Sequence, residues 1–263
     1  MLLIAALLAG CNNSVDADPE VTEPSSSVEA EEPSADPTEA TADEVTEPVT
    51  EAVEEDVVYA DEATAHYINE VYAEQIKRYH TALSEKWDEG KYIDNEMSAL
   101  PYQYYEENPM DNVGFGFVDL DNDGSMELII GAILNAEQDP AVFEIWSVVD
   151  GAPVMLAQGG SRNHYVLQFV EEDNMWYVVN EASNSAANSA TYYMMLTEGQ
   201  LQVTQGIVYD AEADAENPWF MTYDEDWDTS NDDPIDEEMA NSILEANQKH
   251  YAAVEYFPYN LYK

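Results

Sequence analysis

Apolar residues between Asp61 and Trp87 recur at three- and four-residue steps, at Ile68, Tyr72, Ile76, Tyr79 and Leu83. That spacing is the stripe of an amphipathic helix, and Glu70, Glu74, Lys77, Arg78 and Glu85 fall mostly on its other face. His80 lies beside the stripe and reads as a helix-packing residue. A second helical stretch is expected near Asn95 to Tyr105, interrupted by Pro101. From Phe115 onward the period changes to short apolar or alternating runs of strand length: Ala141 to Val149, Ala152 to Ala157, Tyr165 to Val170, Met175 to Asn180, Ala190 to Leu196 and Leu201 to Tyr209. Asp150-Gly151, Glu172-Asp173-Asn174 and Glu198-Gly199 separate them, and Asp-Gly between two such runs is a strong hairpin signal. A last helix is expected from Ile235 to about Ala252, opened by Asp233-Pro234, with Met239, Ile243 and Leu244 on its apolar side. The pattern predicts an α+β fold: an antiparallel β-meander sheet flanked by N-terminal and C-terminal helices.

One polar interruption among the strands has a pattern of its own. Phe117 to Ile130 reads FVDLDNDGSMELII, in which a nine-residue acidic loop, Asp119 to Glu127, carries the spacing D-x-D-x-D-G-x-x-E. Ca²⁺ takes six to eight oxygen ligands from carboxylates and carbonyls. Asp119, Asp121 and Asp123 can converge once the chain curls, Gly124 permits the positive φ of such a curl, Ser125 offers a backbone carbonyl, and Glu127 closes the site. These five are the candidate Ca²⁺ ligands. The loop is not a full EF-hand, because the twelfth position, where a bidentate Glu belongs, is Ile130, and the flanks suit strands. The plain alternative is a solvated acidic turn, since Asp-Asn-Asp-Gly alone favours one.

These residues resemble the D-L-D-x-D-G-x-x-E-L-I hairpin of uncharacterised lipoproteins from Gram-positive gut bacteria, and are similar to the Ca²⁺ loops of integrin-type propeller repeats. The loop occurs once, so no multi-blade array is indicated. The lipoprotein resemblance extends over most of residues 60 to 255, through Gly159-Gly160-Ser161-Arg162-Asn163 and the small-residue segment Ser183 to Ser189, and it implies no established activity.

The N-terminus changes the picture from fold to location. Met1 to Gly10 is an apolar run about half the length of a membrane-spanning helix. It ends in Leu8-Ala9-Gly10-Cys11, which resembles the lipobox of bacterial lipoproteins and implies a diacylglyceryl group on Cys11. No Lys or Arg precedes the run, so the true start is expected upstream. Asn12 to Val58 is rich in Glu, Asp, Ser, Thr, Pro and Ala, with no base, aromatic residue or glycine. Such a segment cannot bury enough apolar surface to order itself and reads as an extended tether. The expected organisation is a signal peptide over 1–10, a lipidated Cys11 with a disordered acidic linker over 11–58, and one α+β domain over 59–263.

Charge then excludes classes of partner. With 56 acids against 7 bases and a formal net charge of -49, the chain lacks the Lys and Arg that neutralise phosphates, which argues against nucleic acid. The same charge leaves the lipid on Cys11 as the hold on the membrane. A single cysteine allows neither an internal disulfide nor a thiolate cluster. No nucleotide-binding loop or zinc spacing appears, and Ser161, three residues from His164, lacks the turn of a nucleophile elbow. Asp224, Asp226, Asp228, Asp232 and Asp233 are a weaker candidate for a second cation site, with a solvated face as the alternative. Tyr102, Tyr104, Tyr105, Trp146, Trp176, Trp219 and Trp227 are either core or a platform for sugar rings or peptide.

The leading expectation is a Ca²⁺-binding lipoprotein on the extracellular face of the cytoplasmic membrane. It would act as a non-enzymatic module for a peptide, glycan or basic protein. The rivals are a secreted carboxylate-dependent hydrolase and a structural envelope component.

Overall fold

A computed structural model describes residues 61–133 and 140–262. The expected signal peptide, Cys11 and acidic linker lie outside the described residues. The domain is α+β, with helices flanking a twelve-stranded antiparallel sheet.

The N-terminal helical stripe forms, but not as one helix. Asp61 caps α1 (Glu62–His66) by accepting the Thr64 N–H at 2.7 Å, a π-helical turn follows over Tyr67–Val71, and α2 spans Ala73–Ser84. All five stripe residues are buried. In the wider turn the Tyr72 N–H reaches the Tyr67 carbonyl at 2.9 Å, so two tyrosines five positions apart come to one side. His80 packs its ring edge-on to Tyr262, 5.4 Å between centroids. The expected helix over Asn95 to Tyr105 is corrected. Helix α3 (Glu89–Asp94) ends before it, and Pro101 sits at the start of a 3₁₀ segment, Leu100–Glu107. There its missing N–H costs nothing, so the proline initiates where it was expected to interrupt. A short α4 (Pro109–Asn112) leads into the sheet.

The strands are β1 (Val113–Val118), β2 (Glu127–Ala132), β3 (Val142–Val149), β4 (Ala152–Gln158), β5 (Asn163–Val170), β6 (Met175–Ser185), β7 (Asn188–Thr197), β8 (Gln200–Asp210), β9 (Trp219–Thr222), β10 (Asp233–Pro234), β11 (Tyr251–Ala252) and β12 (Phe257–Pro258). The expected turns hold: Asp150-Gly151 and Glu198-Gly199 each place two successive residues at positive φ, the geometry that matches strand twist in a two-residue hairpin. From β5 to β10 the sheet is a plain meander. Elsewhere it departs from one, because β3 pairs along its length with β2, β4 and, at Val142, β5, while β12 returns to pair with β1.

Alternate residues divide the sheet between two large cores, with two smaller clusters on the meander strands. Leu128, Ile130, Phe115 and Trp146 meet the stripe of α2. Ile129, Ile145, Leu167, Val178, Met194 and Val208 build the other core from both halves of the sheet. The C-terminal helix is α5 (Glu237–Gln248), capped by Asp236, which accepts the Met239 N–H at 2.8 Å. Asp233-Pro234 does not open it; this pair is the edge strand β10, paired with Phe220 and Met221. Met239 is correspondingly exposed, and Ala240, Ile243 and Leu244 make the contact with Ile207 and Ile235. Among the described residues no helix is long and apolar enough to cross a membrane.

Candidate metal centre

The β1–β2 connection runs from Asp119 to Met126, between the paired ends Val118 and Glu127. Its alternation is what organises it. Leu120 points into the core at 2% exposure, which turns Asp119 and Asp121 on either side the opposite way. The Leu120 N–H donates to Glu127 Oε2 at 2.9 Å, tying the entrance of the loop to its exit. Asp119 accepts the N–H groups of Asp123 and Gly124, both at 3.1 Å. Gly124 has φ +91° with open space around it, as the sequence requires, and Asn122 adopts φ 59°.

Two tyrosines of the π-helical turn hold the loop from the helical side. Tyr67 Oη accepts the Met126 N–H at 3.1 Å, and Tyr72 Oη donates to the Met126 carbonyl at 2.9 Å. Asn122 Nδ2 donates to the Asn174 carbonyl in the β5–β6 turn at 3.1 Å. The loop is thus fixed by neighbours on both sides, and nothing in its sequence shows those long-range partners.

Carboxylate oxygens of Asp119, Asp121 and Glu127 lie within 4.8 Å of one another. These three can hold a metal ion. Their donors are all hard oxygens, which suits Ca²⁺, Mg²⁺ or Mn²⁺ better than thiophilic or imidazole-seeking metals. Asp123 lies outside this trio, with Oδ1 accepting the Ser125 N–H at 2.6 Å. Glu127 is 2% exposed, and Ser147 Oγ donates to its Oε1 at 3.0 Å. Burial, with the charges of Asp121 and Asp123 adding to it, outweighs the Leu120 and Ser147 donors and pushes the Glu127 carboxyl up to about 7. Asp121 is raised as well, by burial first and then by Asp123 and Asp119. Like charges gathered this closely favour either a proton or a cation among them.

A second buried acid escaped the sequence reading. Glu144, at 1% exposure, accepts the Ser98 N–H at 2.8 Å and Trp146 Nε1–H at 2.9 Å, and burial raises its carboxyl despite these donors and the Tyr79 hydroxyl beside it. Its signal was an acid inside the apolar run AVFEIWSVV. The donors around it are neutral groups of the core, so its role is to fasten the Ser98 segment to β3.

The other candidates separate. Among the described residues the Asp224–Asp233 acids do not gather as the loop carboxylates do; Asp224, Asp226 and Asp228 instead accept backbone N–H groups two residues on. His164 Nε2 contacts the Ser161 backbone carbonyl, 3.3 Å away, and not its hydroxyl. The aromatic residues form no common platform: Trp146 is core, Trp176 packs on Phe169 and Trp219 on Tyr209. Trp227 borders one depression, with Tyr192, and Tyr104 borders a separate, smaller one. Comparisons with protein-family models, with curated proteins and with solved structures find no match to this chain.

Proposed function

We propose that the protein is a lipid-anchored, Ca²⁺-binding module of a bacterial cell surface, non-enzymatic, in which the ion completes the β1–β2 loop. The convergence of Asp119, Asp121 and Glu127 carries this reading. On binding, Asp123 and the Ser125 carbonyl join them, giving the all-oxygen shell of five or more donors that Ca²⁺ takes more readily than Mg²⁺. Three depressions of the domain surface, of about 520, 90 and 430 Å³, are lined by other residues, which supports a structural ion over a catalytic one: a substrate needs room beside the reacting groups. Attachment through Cys11 and display on the acidic 11–58 tether rest on the lipobox-like sequence.

Calorimetric titration of the chelator-treated full chain tests the metal. One saturable Ca²⁺ site is expected, with Kd of about 10⁻⁴ to 10⁻³ M as in extracellular modules, and a rise in Tm on binding. The site is lost in Asp121→Ala. Absence of saturable heat and of stabilisation at millimolar Ca²⁺ refutes it.

A further inference from the structure

The largest depression described lies on the meander half of the sheet, about 520 Å³ in volume, within the range of about 300–1,000 Å³ usual for small-molecule sites. Its floor is a cross-strand row, Tyr165 on β5 opposite Asn180 on β6, which in turn is opposite Tyr192 on β7. Trp227, from the loop after β9, forms a wall and meets Tyr192 edge to face at 6.2 Å and 81°. The Tyr192 hydroxyl donates to the Asp226 carbonyl at 3.4 Å, which ties that wall to the floor.

The floor is built to present an acceptor. Asn180 is 7% exposed and uses its Nδ2 twice, toward Asn163 Oδ1 at 2.6 Å and the His164 carbonyl at 3.1 Å. Both bonds fix the amide plane, and among the described residues nothing donates to Asn180 Oδ1. The rim pairs one base with one acid: Arg162, anchored on the Asn184 carbonyl at 3.0 Å, and Glu225. In a chain of net charge -49, the lining of this concavity is formally neutral, although Asp224, Asp226 and Asp232 act on Tyr192 from outside it.

We infer that this pocket binds an uncharged oligosaccharide. Fixed amides match sugar hydroxyls, which both donate and accept, and the half-buried Trp227, propped edge to face on the buried Tyr192, offers its ring to the apolar side of a pyranose. A basic peptide would need several carboxylates in the lining itself, where only Glu225 stands and Arg162 opposes it, and an anionic glycan would meet Glu225 and the field of the whole chain. Past Tyr165 and Glu225, which border both, a second depression of about 430 Å³ has a mixed lining of Met155, Leu156 and Leu201 with Glu198 and Gln200, so a ligand longer than the first site has somewhere to continue. The inference gives a ligand class to the binding-module reading above, yet stands apart from its metal, since pocket and carboxylate trio share no residue.

The test is calorimetry and saturation-transfer NMR on the full chain with maltotriose, cellotriose, mannotriose and tri-N-acetylchitotriose, in Ca²⁺ and in chelator. At least one is expected to bind saturably at one site, and Trp227→Ala, which also gives up its packing on Tyr192 and the core, to weaken it about tenfold while still melting cooperatively. Asn180→Ala is expected to weaken it too, provided the variant melts cooperatively. Failure of all four sugars in both arms overturns the inference, as does binding undiminished in Trp227→Ala, or trilysine displacing the sugar. Sugar binding without any Ca²⁺ heat leaves the pocket standing and removes the metal; Ca²⁺ binding without sugar does the reverse.

Discussion

If Glu127 is a ligand, Ca²⁺ must compete with a proton for it, and pH is the cleanest perturbation of the site. A carboxyl titrating at about 7 is about one-tenth ionised at pH 6 and about nine-tenths at pH 8, and the ion takes only the ionised form. The apparent Kd should therefore tighten about tenfold between pH 6 and pH 8, with about half a proton released per ion bound at pH 7. Asp121, also raised, steepens the slope toward acid. The metal-free protein should show the opposite trend in stability. A carboxyl whose folded value lies above its ordinary 4.5 favours the fold when protonated. That contribution is present below about 4.5 and is lost as pH rises through 7, by up to about 3 kcal/mol. Calcium-free denaturant melts should thus weaken from pH 5 to pH 8, and saturating Ca²⁺ should remove the loss. Calorimetry in two buffers of different ionisation enthalpy counts the protons directly. A Kd unchanged from pH 6 to pH 8, with no proton release, would refute proton competition at Glu127, and Glu127→Gln then decides whether it is a ligand at all. Glu127→Gln binding as wild type does would remove it from the site.

Two further predictions concern the scaffold. Glu144→Ala strips the acceptor from the Ser98 N–H and the Trp146 indole and should cost about 3–5 kcal/mol in urea melts, with Glu144→Gln milder because one acceptor oxygen remains; equal effects of the two would refute the hydrogen-bond account. Gly206→Ala would put a methyl 2.7 Å from both Thr222 Cγ2 and Tyr192 Cδ1, two buried neighbours in the meander, and should cost about 1–3 kcal/mol by overpacking. An unchanged Tm would show that the neighbours give way freely.

What could be read from the chain was local. The stripe Ile68 to Leu83, the Asp-Gly and Glu-Gly hairpins and the left-handed Gly124 each follow from a few adjacent residues, and the structure has them. The misreadings arose where a distant partner decides. Asp233-Pro234 carries a helix-start signal, but Phe220 and Met221 claim it as a strand, and Asp236 caps the helix three residues later. Met239 fits an apolar stripe by spacing, yet the sheet meets the helix at Ala240. The gathering of Asp119, Asp121 and Glu127 was legible because they share one loop, though the sequence reading also counted Asp123 and Ser125. The pocket was not, because Tyr165, Asn180, Tyr192 and Trp227 become neighbours only through strand pairing and a returning loop. Glu144 lies between these cases, its oddity visible in the sequence and its donors not.

The pairing of β12 with β1 has a consequence for timing. Phe115 finds Phe257 across the sheet, and Tyr259, just beyond, is fully buried among Tyr79, Tyr92 and Phe115. Contacts so distant along the chain are slow to form, because the loop between them must close first. The helical core beside the metal loop therefore cannot be completed until the final strand has emerged.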